Sequence, residues 1–241
     1  MWQITIHIKN DRNTPLVIAK AGWQAESEVG LKQGIQEGVF IMKKIPTLFN
    51  RTFENHKISS ISDEVRDELR WVLKGEGIAT VKYDGSCCAI IDGIFYKRYD
   101  AKGGKPIPDG AIKCQNEPDP VTGHMPCWVK VDFENPSDKW FCSALRNCEQ
   151  NLPDGTYEAI GKHFQGNPYK LSNDVLVRHG AHIAEVERTF EGIREWLKNN
   201  NVEGLVFWKD NVPKCKIKRK DFGLPWPDTE QGKEEHKIDL F

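Results

Sequence analysis

The 241-residue sequence lacks several features that would place it in a specialised class of protein. It has no apolar run approaching the ~20 residues that a membrane-spanning helix needs. Lys and Arg number 34 against 35 Asp and Glu, and the net charge of −1 argues against a protein that coats nucleic acid. Residues 2–8 alternate like a strand and lack the apolar core of a secretory leader. We therefore expect a globular, cytoplasmic protein that does not enter a membrane.

Cysteine pairs with the spacing of a zinc knuckle are also missing. The seven cysteines include no Cys-x-x-Cys, the spacing that usually marks a structural zinc site. Free thiols in a reducing compartment are the favoured interpretation. A zinc site is the alternative, because five candidate ligands fall in one region: Cys114, His124, Cys127, Cys142 and Cys148.

Hydrophobic periodicity predicts short strands interrupted by a few helices. Strands are expected at 78–83, 87–91, 94–98, 128–131, 156–161, 202–208 and 214–220. Helices are expected at 62–73, 139–150 and 186–198. Residues 100–138 are rich in Gly, Pro, Asp and Asn and predict a long irregular excursion. This order favours an α+β fold over a doubly wound parallel sheet.

Lys82 ends one of the predicted strands and is followed by the tight-turn dipeptide at 84–85. The strand would hold the lysine stem rigidly, and the turn would let the backbone reverse beside a bulky ligand. A short Lys-x-Asp-Gly is by itself typical of a solvated hairpin end. Its interpretation therefore depends on residues later in the chain.

Three later elements complete a pattern with Lys82. Glu158 lies on a predicted strand, and Glu203 stands inside an otherwise apolar one, where a buried charge needs a partner. Lys216 and Lys218 alternate along a strand, so they share one face. Taken singly, Glu158 and the two lysines are typical of solvated strand faces. The four elements in this order are not expected by chance.

Each residue type has a function if the substrate is a nucleoside triphosphate. A lysine that attacks the α-phosphate must first lose its proton, which costs roughly 4–5 kcal/mol at pH 7 from a pKa near 10.4. Lys216, Lys218 and a metal ion would favour the neutral amine of Lys82 and stabilise phosphoryl charge. Carboxylates at 158 and 203 can bind ribose hydroxyls or hold Mg²⁺.

These elements resemble the motifs of the covalent lysine nucleotidyltransferases, which include ATP-dependent ligases and mRNA capping enzymes. The matching segments are Lys-Tyr-Asp-Gly at 82–85, Tyr-Glu at 157–158, Glu-Gly-Leu-Val at 203–206 and Lys-Ile-Lys at 216–218. A closer resemblance, covering roughly 43–229, is to the RNA ligase 1 family. It is carried by the segments 123–129, 166–169, 179–181 and 222–227.

The resemblance implies a fold, a reaction and a set of site residues. The fold is a nucleotidyltransferase domain of the ATP-grasp-like ligase type, with antiparallel sheets flanked by helices. The reaction is ATP-dependent joining of RNA 5′-phosphate and 3′-hydroxyl ends through lysyl-AMP, with Mg²⁺ or Mn²⁺, in RNA repair by a monomer. Lys82, Lys216 and Lys218 are the implied catalytic residues, and Glu203 and Glu158 the metal ligands. The implied nucleotide-binding set is Lys82, Asp84, Gly85, Arg98, Glu158, Glu203, Lys216 and Lys218; Arg98 also resembles the arginine that contacts the nucleic-acid end.

The resemblance also suggests domain boundaries. The adenylylation domain is expected at 42–229, preceded by an extension at 1–41 and followed by a tail at 230–241. We expect a protein beginning at Met42 to fold and react with little loss. Too few residues follow the last motif for the OB domain that DNA ligases and capping enzymes append, so none is expected.

Some assignments stay open. Residues 86–88 stand where DNA ligases usually have an arginine, which favours RNA over DNA. The alternatives are a DNA-end ligase, a guanylyltransferase, or a non-catalytic module that binds RNA ends or nucleotides. The adenine-stacking aromatic has three candidates, Phe164, Tyr169 and Trp208. The histidines at 124, 163 and 179 are interpreted as satisfied structural residues rather than phosphate ligands.

Overall fold

Strands dominate the part of the chain that the structure, a computed structural model, describes: residues 35–36, 39–40, 44–55, 57–148 and 152–226. The strands are β1 (Ile35–Gln36), β2 (Val39–Phe40), β3 (Phe49–Glu54), β4 (Lys57–Val65), β5 (Ile78–Lys82), β6 (Ser86–Ile91), β7 (Ile94–Ala101), β8 (Ile112–Lys113), β9 (Met125–Lys130), β10 (Gly155–Ile160), β11 (Val175–Arg178), β12 (Gly204–Lys209) and β13 (Val212–Lys218). The helices are α1 (Lys139–Arg146) and α2 (Phe190–Asn199), with 3-10 turns at Asp67–Leu69, Pro136–Asp138 and Arg219–Phe222.

The strands pair antiparallel in four sheets. A six-stranded sheet has the order β11-β10-β6-β7-β9-β8, and a three-stranded sheet has the order β13-β12-β5. Two-stranded ribbons join β3 to β4 and β1 to β2. Antiparallel sheets with few helices confirm the predicted α+β class. Across the described residues, no helix is long and apolar enough to cross a membrane.

The first core lies beneath the three-stranded sheet. The fully buried side chains Leu205, Phe207 and Ile217 pack against Ile193 and Leu197 of α2. Each such side chain contributes about 1.5–3 kcal/mol by leaving water. The helix is fixed at its start by Thr189, whose hydroxyl accepts a hydrogen bond from the Gly192 N–H (3.0 Å).

Buried clusters lie on both faces of the six-stranded sheet. On one face Tyr157 and Phe95 pack against Cys142 of α1. On the other face Trp128, fully buried, packs with Tyr96. Sheets covered on both sides read as near-continuous apolar runs, and every residue of β10 is buried.

Most predicted elements are found close to their predicted positions. The strands at 78–82, 86–91, 155–160, 204–209 and 212–218 begin and end within a few residues of expectation, as do α1 and α2. The excursion at 100–138 is largely irregular, apart from β8, β9 and one 3-10 turn.

The helix predicted at 62–73 is wrong. Residues up to Val65 belong to β4, which pairs with β3, and a 3-10 turn at Asp67–Leu69 follows. Leu69 and Val72 are buried all the same, so the apolar spacing identified core residues but not their backbone geometry. The backbone of β4 finds its partners in β3, which the local periodicity cannot reveal.

The predicted extension at 1–41 and tail at 230–241 lie almost wholly outside the described residues. Only β1 and β2 fall within the extension, as a short hairpin. The proposed domain boundaries stay predictions.

Gly204 is required by the close approach of β12 and β13. A Cβ at this position would collide with the carbonyl oxygen of Ile217 and lie 3.0 Å from the Lys218 Cα. We expect Gly204→Ala to lower the free energy of unfolding by about 1–3 kcal/mol, the usual range for overpacking. Denaturant unfolding measures this. Gly103→Ala is the control, since the nearest atom to its Cβ is 3.5 Å away; equal effects of the two changes would contradict the explanation.

Candidate active site

The three-stranded sheet sets the lysines beside one another. Gly204 of β12 pairs with Lys82 of β5 on one side and with Lys218 of β13 on the other. Two residues along the strands, Val206 pairs with Lys216. Residues directly opposite in adjacent strands project to the same face, so the three lysines share it. The structure thus brings together residues far apart in sequence.

Glu203 lies between two of these lysines. Its N–H donates to the Lys82 carbonyl (3.1 Å), and its own carbonyl accepts from the Arg219 N–H (2.9 Å). The side chain is 14% exposed, and its two carboxylate oxygens contact Lys82 Nζ and Lys218 Nζ. The partner that a buried charge at 203 requires is therefore a pair of lysines.

The charges in this cluster stabilise one another. Burial opposes ionisation of Glu203, but Lys82 and Lys218 outweigh it and hold the pKa of the carboxylate below its usual range. Burial alone would also lower the pKa of Lys82, yet Glu203, Glu158 and Asp84 raise it above the ordinary value. Without bound substrate the Lys82 amine is thus protonated. The neutral amine was expected at Lys82, but the surroundings favour it at Lys216 instead.

The sequence predicted a lowered pKa for Lys82, but the lysine whose pKa is lowered is Lys216. Burial, together with repulsion from Lys218 and Lys82, lowers the pKa of Lys216 to about 8. Glu203 offsets this only in part, because its carboxylate is shared by the other two lysines. Lys216 is therefore the cation of the cluster that lacks sufficient counter-charge.

Glu158 forms the opposite wall on β10. One carboxylate oxygen accepts the Gly85 N–H (3.1 Å), and the other lies 2.9 Å from His179 Nε2. The second ring nitrogen of His179 lies 2.9 Å from the Thr156 hydroxyl. Gly85 is required here, since its Cβ would collide with the Ala159 carbonyl. The turn after Lys82 is thereby packed against the strand that holds Glu158.

A cavity of about 660 Å³ lies between these walls. Five predicted site residues line it: Lys82, Gly85, Arg98, Glu158 and Lys216. Arg98 comes from β7 and is oriented by Asp100, whose carboxylate lies 2.9 Å from its Nε. The volume is in the range of nucleotide and cofactor pockets.

A second, smaller cavity of about 270 Å³ shares Lys216 with the first. Its lining is strongly basic and consists of Lys44, Ile45, Pro46, Thr47, Arg51, Lys216, Lys218, Lys220 and Asp221. Lys44 reaches it because the neighbouring segment follows the outer edge of β13, where the Lys216 N–H donates to the Pro46 carbonyl (3.0 Å). Such a surface suits a polyanion.

Two predicted residues, Asp84 and Glu203, are not among the described residues that line either cavity. Glu203 contacts Lys82 and Lys218, which do line the cavities. The N–H of Asp84 donates to the Tyr169 hydroxyl (2.5 Å). Burial, followed by repulsion from Glu203, raises the pKa of Asp84.

The three aromatic candidates lie in different surroundings. Trp208 lines the larger cavity, where its indole N–H donates to the Thr80 hydroxyl (2.8 Å). Phe164 and Tyr169 are buried in two of the apolar core clusters. Of the three, Trp208 is the one that lines the cavity, although its side chain is buried like the other two.

The candidate histidines also lie in different surroundings. His163 is structural, since its ring stacks on Trp140 and its Nδ1 lies 2.7 Å from the Asp174 carboxylate. His179 has both ring nitrogens in hydrogen bonds, as a structural histidine would, yet it also lines the cavity. The hydrogen bonds agree with the structural interpretation drawn from the sequence, which did not predict that His179 would also line the cavity.

The alternative zinc site is not formed as predicted. The seven cysteines are free thiols. Within the described residues, the group with metal-ligand spacing is a different one, formed by Cys87, Glu158 and His179. Burial, followed by the charge of Glu158, raises the pKa of the Cys87 thiol.

Comparisons with known proteins agree with the geometry. A family model described as RNA ligase 1 matches residues 147–238. The chain resembles RNA ligase 1. Curated proteins of that name from Danio rerio, Rattus norvegicus and Pongo abelii are 28%, 27% and 25% identical over 165, 168 and 169 residues. The resemblance predicted from the sequence is thereby confirmed.

The RNA ligase 1 match has a limited extent. Each alignment covers 54% of this chain and 47% of the relative, so the chain spans about half the length of the curated relatives it matches. The region matched by the family model contains Glu158, Glu203, Lys216 and Lys218, whereas Lys82 precedes it.

The lowered pKa of Lys216 makes stability depend on pH. An unfolded lysine has a pKa near 10.4, against about 8 in the folded chain. Between these values the unfolded chain binds more protons, so the free energy of unfolding rises with pH. We expect the unfolding free energy of the wild type minus that of Lys216→Met to increase from about pH 8 to about pH 10.

Equilibrium denaturation at a series of pH values measures this difference. Lys214→Met, two residues earlier on β13 and outside the lining of both cavities, is the control for a lysine-to-methionine change on this strand. A wild-type minus Lys216→Met difference that stays constant over this range would show that Lys216 is protonated like a solvated lysine.

Proposed function

We propose that the protein is an ATP-dependent RNA ligase that joins a 5′-phosphate to a 3′-hydroxyl through a covalent lysyl-AMP. The observation that carries this proposal is the row of lysines across β5, β12 and β13, with Glu203 between Lys82 and Lys218. A single rigid sheet supplies the nucleophile and two phosphate-binding cations. The relatives' name supports RNA as the polymer.

In the first step, Lys82 Nζ attacks the α-phosphorus of ATP. The ammonium first gives up one proton, the P–N bond forms as the bond to the pyrophosphate leaving group breaks, and Nζ then loses a second proton to the solvent. The Glu203 carboxylate contacts Nζ and would accept the first of these protons. Lys216 and Lys218 stabilise charge on the phosphoryl oxygens. The basic lining of the smaller cavity is suited to the pyrophosphate end of the substrate.

The raised pKa of Lys82 means that substrate must change the local charge balance. Deprotonation from an ordinary lysine pKa already costs roughly 4–5 kcal/mol at pH 7. A triphosphate at Lys216 and Lys218 competes with Glu203 for the Lys218 ammonium. Glu203 is then freer to accept the Lys82 proton, so substrate binding prepares the nucleophile.

The donor set fits Mg²⁺ or Mn²⁺, which prefer carboxylate oxygens. Glu203 and Glu158 would hold the ion, and it would supply positive charge to the phosphate oxygens. Because both oxygens of Glu203 contact lysines, one of those contacts must yield to admit an ion.

In the later steps the AMP passes to the RNA 5′-phosphate, which restores the free Lys82 amine. The RNA 3′-hydroxyl then attacks that phosphate and AMP leaves, forming the phosphodiester. Arg98 lines the cavity from the six-stranded sheet, opposite the lysine row, and is suited to hold the 5′-phosphate. We propose that the protein binds RNA ends and acts as a cytoplasmic monomer.

Lys82→Ala and Lys82→Arg should form no AMP adduct. The first lacks the amine, and the second carries a guanidinium that cannot lose its proton near neutrality. Intact mass after incubation with ATP and Mg²⁺ measures the gain of one adenylyl group. Lys209→Ala is the control, since Lys209 pairs with Glu76 at the far end of β12 (2.7 Å) and should leave the adduct unchanged.

The same assay separates the alternatives. An adduct formed with GTP instead of ATP would favour a guanylyltransferase, and sealing of DNA but not RNA would favour a DNA-end ligase. Unmodified wild-type protein would favour the non-catalytic module. An adduct on a lysine other than Lys82 would overturn the assignment of the nucleophile.

Arg98→Ala should affect the steps unequally. Self-adenylylation should persist, whereas RNA joining should fall about tenfold or more, the loss expected for a charge-assisted hydrogen bond of roughly 1.5–3 kcal/mol. Labelled ATP and a nicked RNA duplex measure the two steps separately. Arg70→Ala, on the surface beside Asp67, is the control. Equal loss of both steps would show that Arg98 acts on ATP and not on the RNA end.

A further inference from the structure

Cys87, Glu158 and His179 bring three kinds of metal ligand to one point of the cavity wall. One ligand atom from each lies within 4.8 Å of the other two. The thiol comes from β6, the carboxylate from the adjacent position on β10, where Glu158 pairs with Cys87, and the imidazole from just beyond β11. All three residues line the larger cavity.

Two of these ligands are already held in orientation by other groups. His179 keeps one ring nitrogen on the Thr156 hydroxyl (2.9 Å), which leaves Nε2 directed at Glu158. Glu158 keeps one oxygen on the Gly85 N–H (3.1 Å), which leaves the other oxygen facing His179. Partners of this kind fix ligand tautomer and direction in metal sites.

The chemistry of the set selects the ion. Thiolate and imidazole favour zinc-like cations, whereas Mg²⁺ prefers oxygen ligands alone. Metal–ligand bonds of about 2.0–2.3 Å in a tetrahedral site separate the ligand atoms by about 3.3–3.8 Å. The 2.9 Å between Nε2 and the Glu158 oxygen therefore has to widen slightly, and the Cys87 sulfur, within 4.8 Å of both atoms, has to settle at the same separation. Both are side-chain adjustments.

We infer that Cys87, Glu158 and His179 form a binding site for Zn²⁺, with a fourth position open to the cavity. The ion displaces the thiol proton, as thiolate ligation requires. It engages Glu158, which the proposed function assigns to nucleotide or Mg²⁺, and it fills part of the same cavity. The consequence, which rests on the proposed function, is that Zn²⁺ inhibits adenylylation of Lys82.

Metal binding is tested on the full chain without nucleotide. Co²⁺, a spectroscopic stand-in for Zn²⁺, should bind one per chain, show thiolate-to-metal charge-transfer absorption, and be displaced by Zn²⁺. Cys87→Ser should abolish that absorption, and Cys87→Ser and His179→Gln should each weaken Zn²⁺ binding about tenfold or more. Cys148→Ser, which alters the other half-buried thiol, is the control and should bind like wild type.

Charge-transfer absorption that survives in Cys87→Ser would overturn the site, as would the absence of stoichiometric Co²⁺ binding by wild type. His179→Gln gives an independent decision if Cys87→Ser does not fold. These titrations need no ATP, so they stand even if the protein proves not to adenylylate.

Inhibition is measured separately, with each variant compared to its own rate without zinc. Zn²⁺ should slow adenylylation of wild type and Cys148→Ser at concentrations about tenfold or more below those that slow Cys87→Ser. Equal sensitivity of all three, or adenylylation by zinc-loaded wild type at the zinc-free rate, would show that the ion does not block the cavity.

Discussion

The contact of one buried carboxylate with two lysines holds the candidate active site together. Three lysines on one face of a three-stranded sheet repel one another, and burial makes that repulsion stronger than it would be in water. Glu203 offsets it for Lys82 and Lys218 by contacting both. Removing one partner of a buried ion pair leaves an uncompensated charge and usually costs more than the pair contributes. Glu203 is therefore required by the fold of the sheet before any substrate binds.

Backbone packing explains why glycines accompany the charged residues. Gly204 lies in the strand between the two lysine strands, where a side chain would collide with the Ile217 carbonyl. Gly85 meets the Ala159 backbone in the same way, at the junction with the six-stranded sheet. Both glycines let strands or turns approach closely, so that the charged groups of the two sheets face one cavity. Each of the dipeptides at 84–85 and 203–204 thus contains one charged residue and one glycine that allows close approach of the backbone.

The sequence predicts site residues well where they follow from the alternation of side chains along a single strand. It predicts them less well where distant strands must pair to bring the residues together. The shared face of Lys216 and Lys218 follows from a period of two, and the strand before Lys82 from its apolar run. Lys44 was not predicted, and His179 was not predicted to line the cavity, because long-range pairing brings both residues there. The segment beside Lys44 follows β13, and His179 is joined to β10. The false helix at 62–73 has the same cause, since β3 supplies the partners of β4 from outside any local window.

The Glu203 carboxylate contacts Lys82 and Lys218, and this uneven distribution of its charge among the three lysines affects how the cluster binds an anion. Lys216 has a lowered pKa because the nearest carboxylate is already occupied by its neighbours. A polyphosphate bound beside Lys216 would supply the missing counter-charge. It would therefore bind more tightly when Lys216 is protonated. The same anion would draw Lys218 away from Glu203 and leave that carboxylate free to interact with the Lys82 proton. Because coupling between binding events is reciprocal, proton uptake at Lys216 and activation of Lys82 would then be linked through one bound anion. Until such an anion binds, the charges around Lys82 keep its amine protonated.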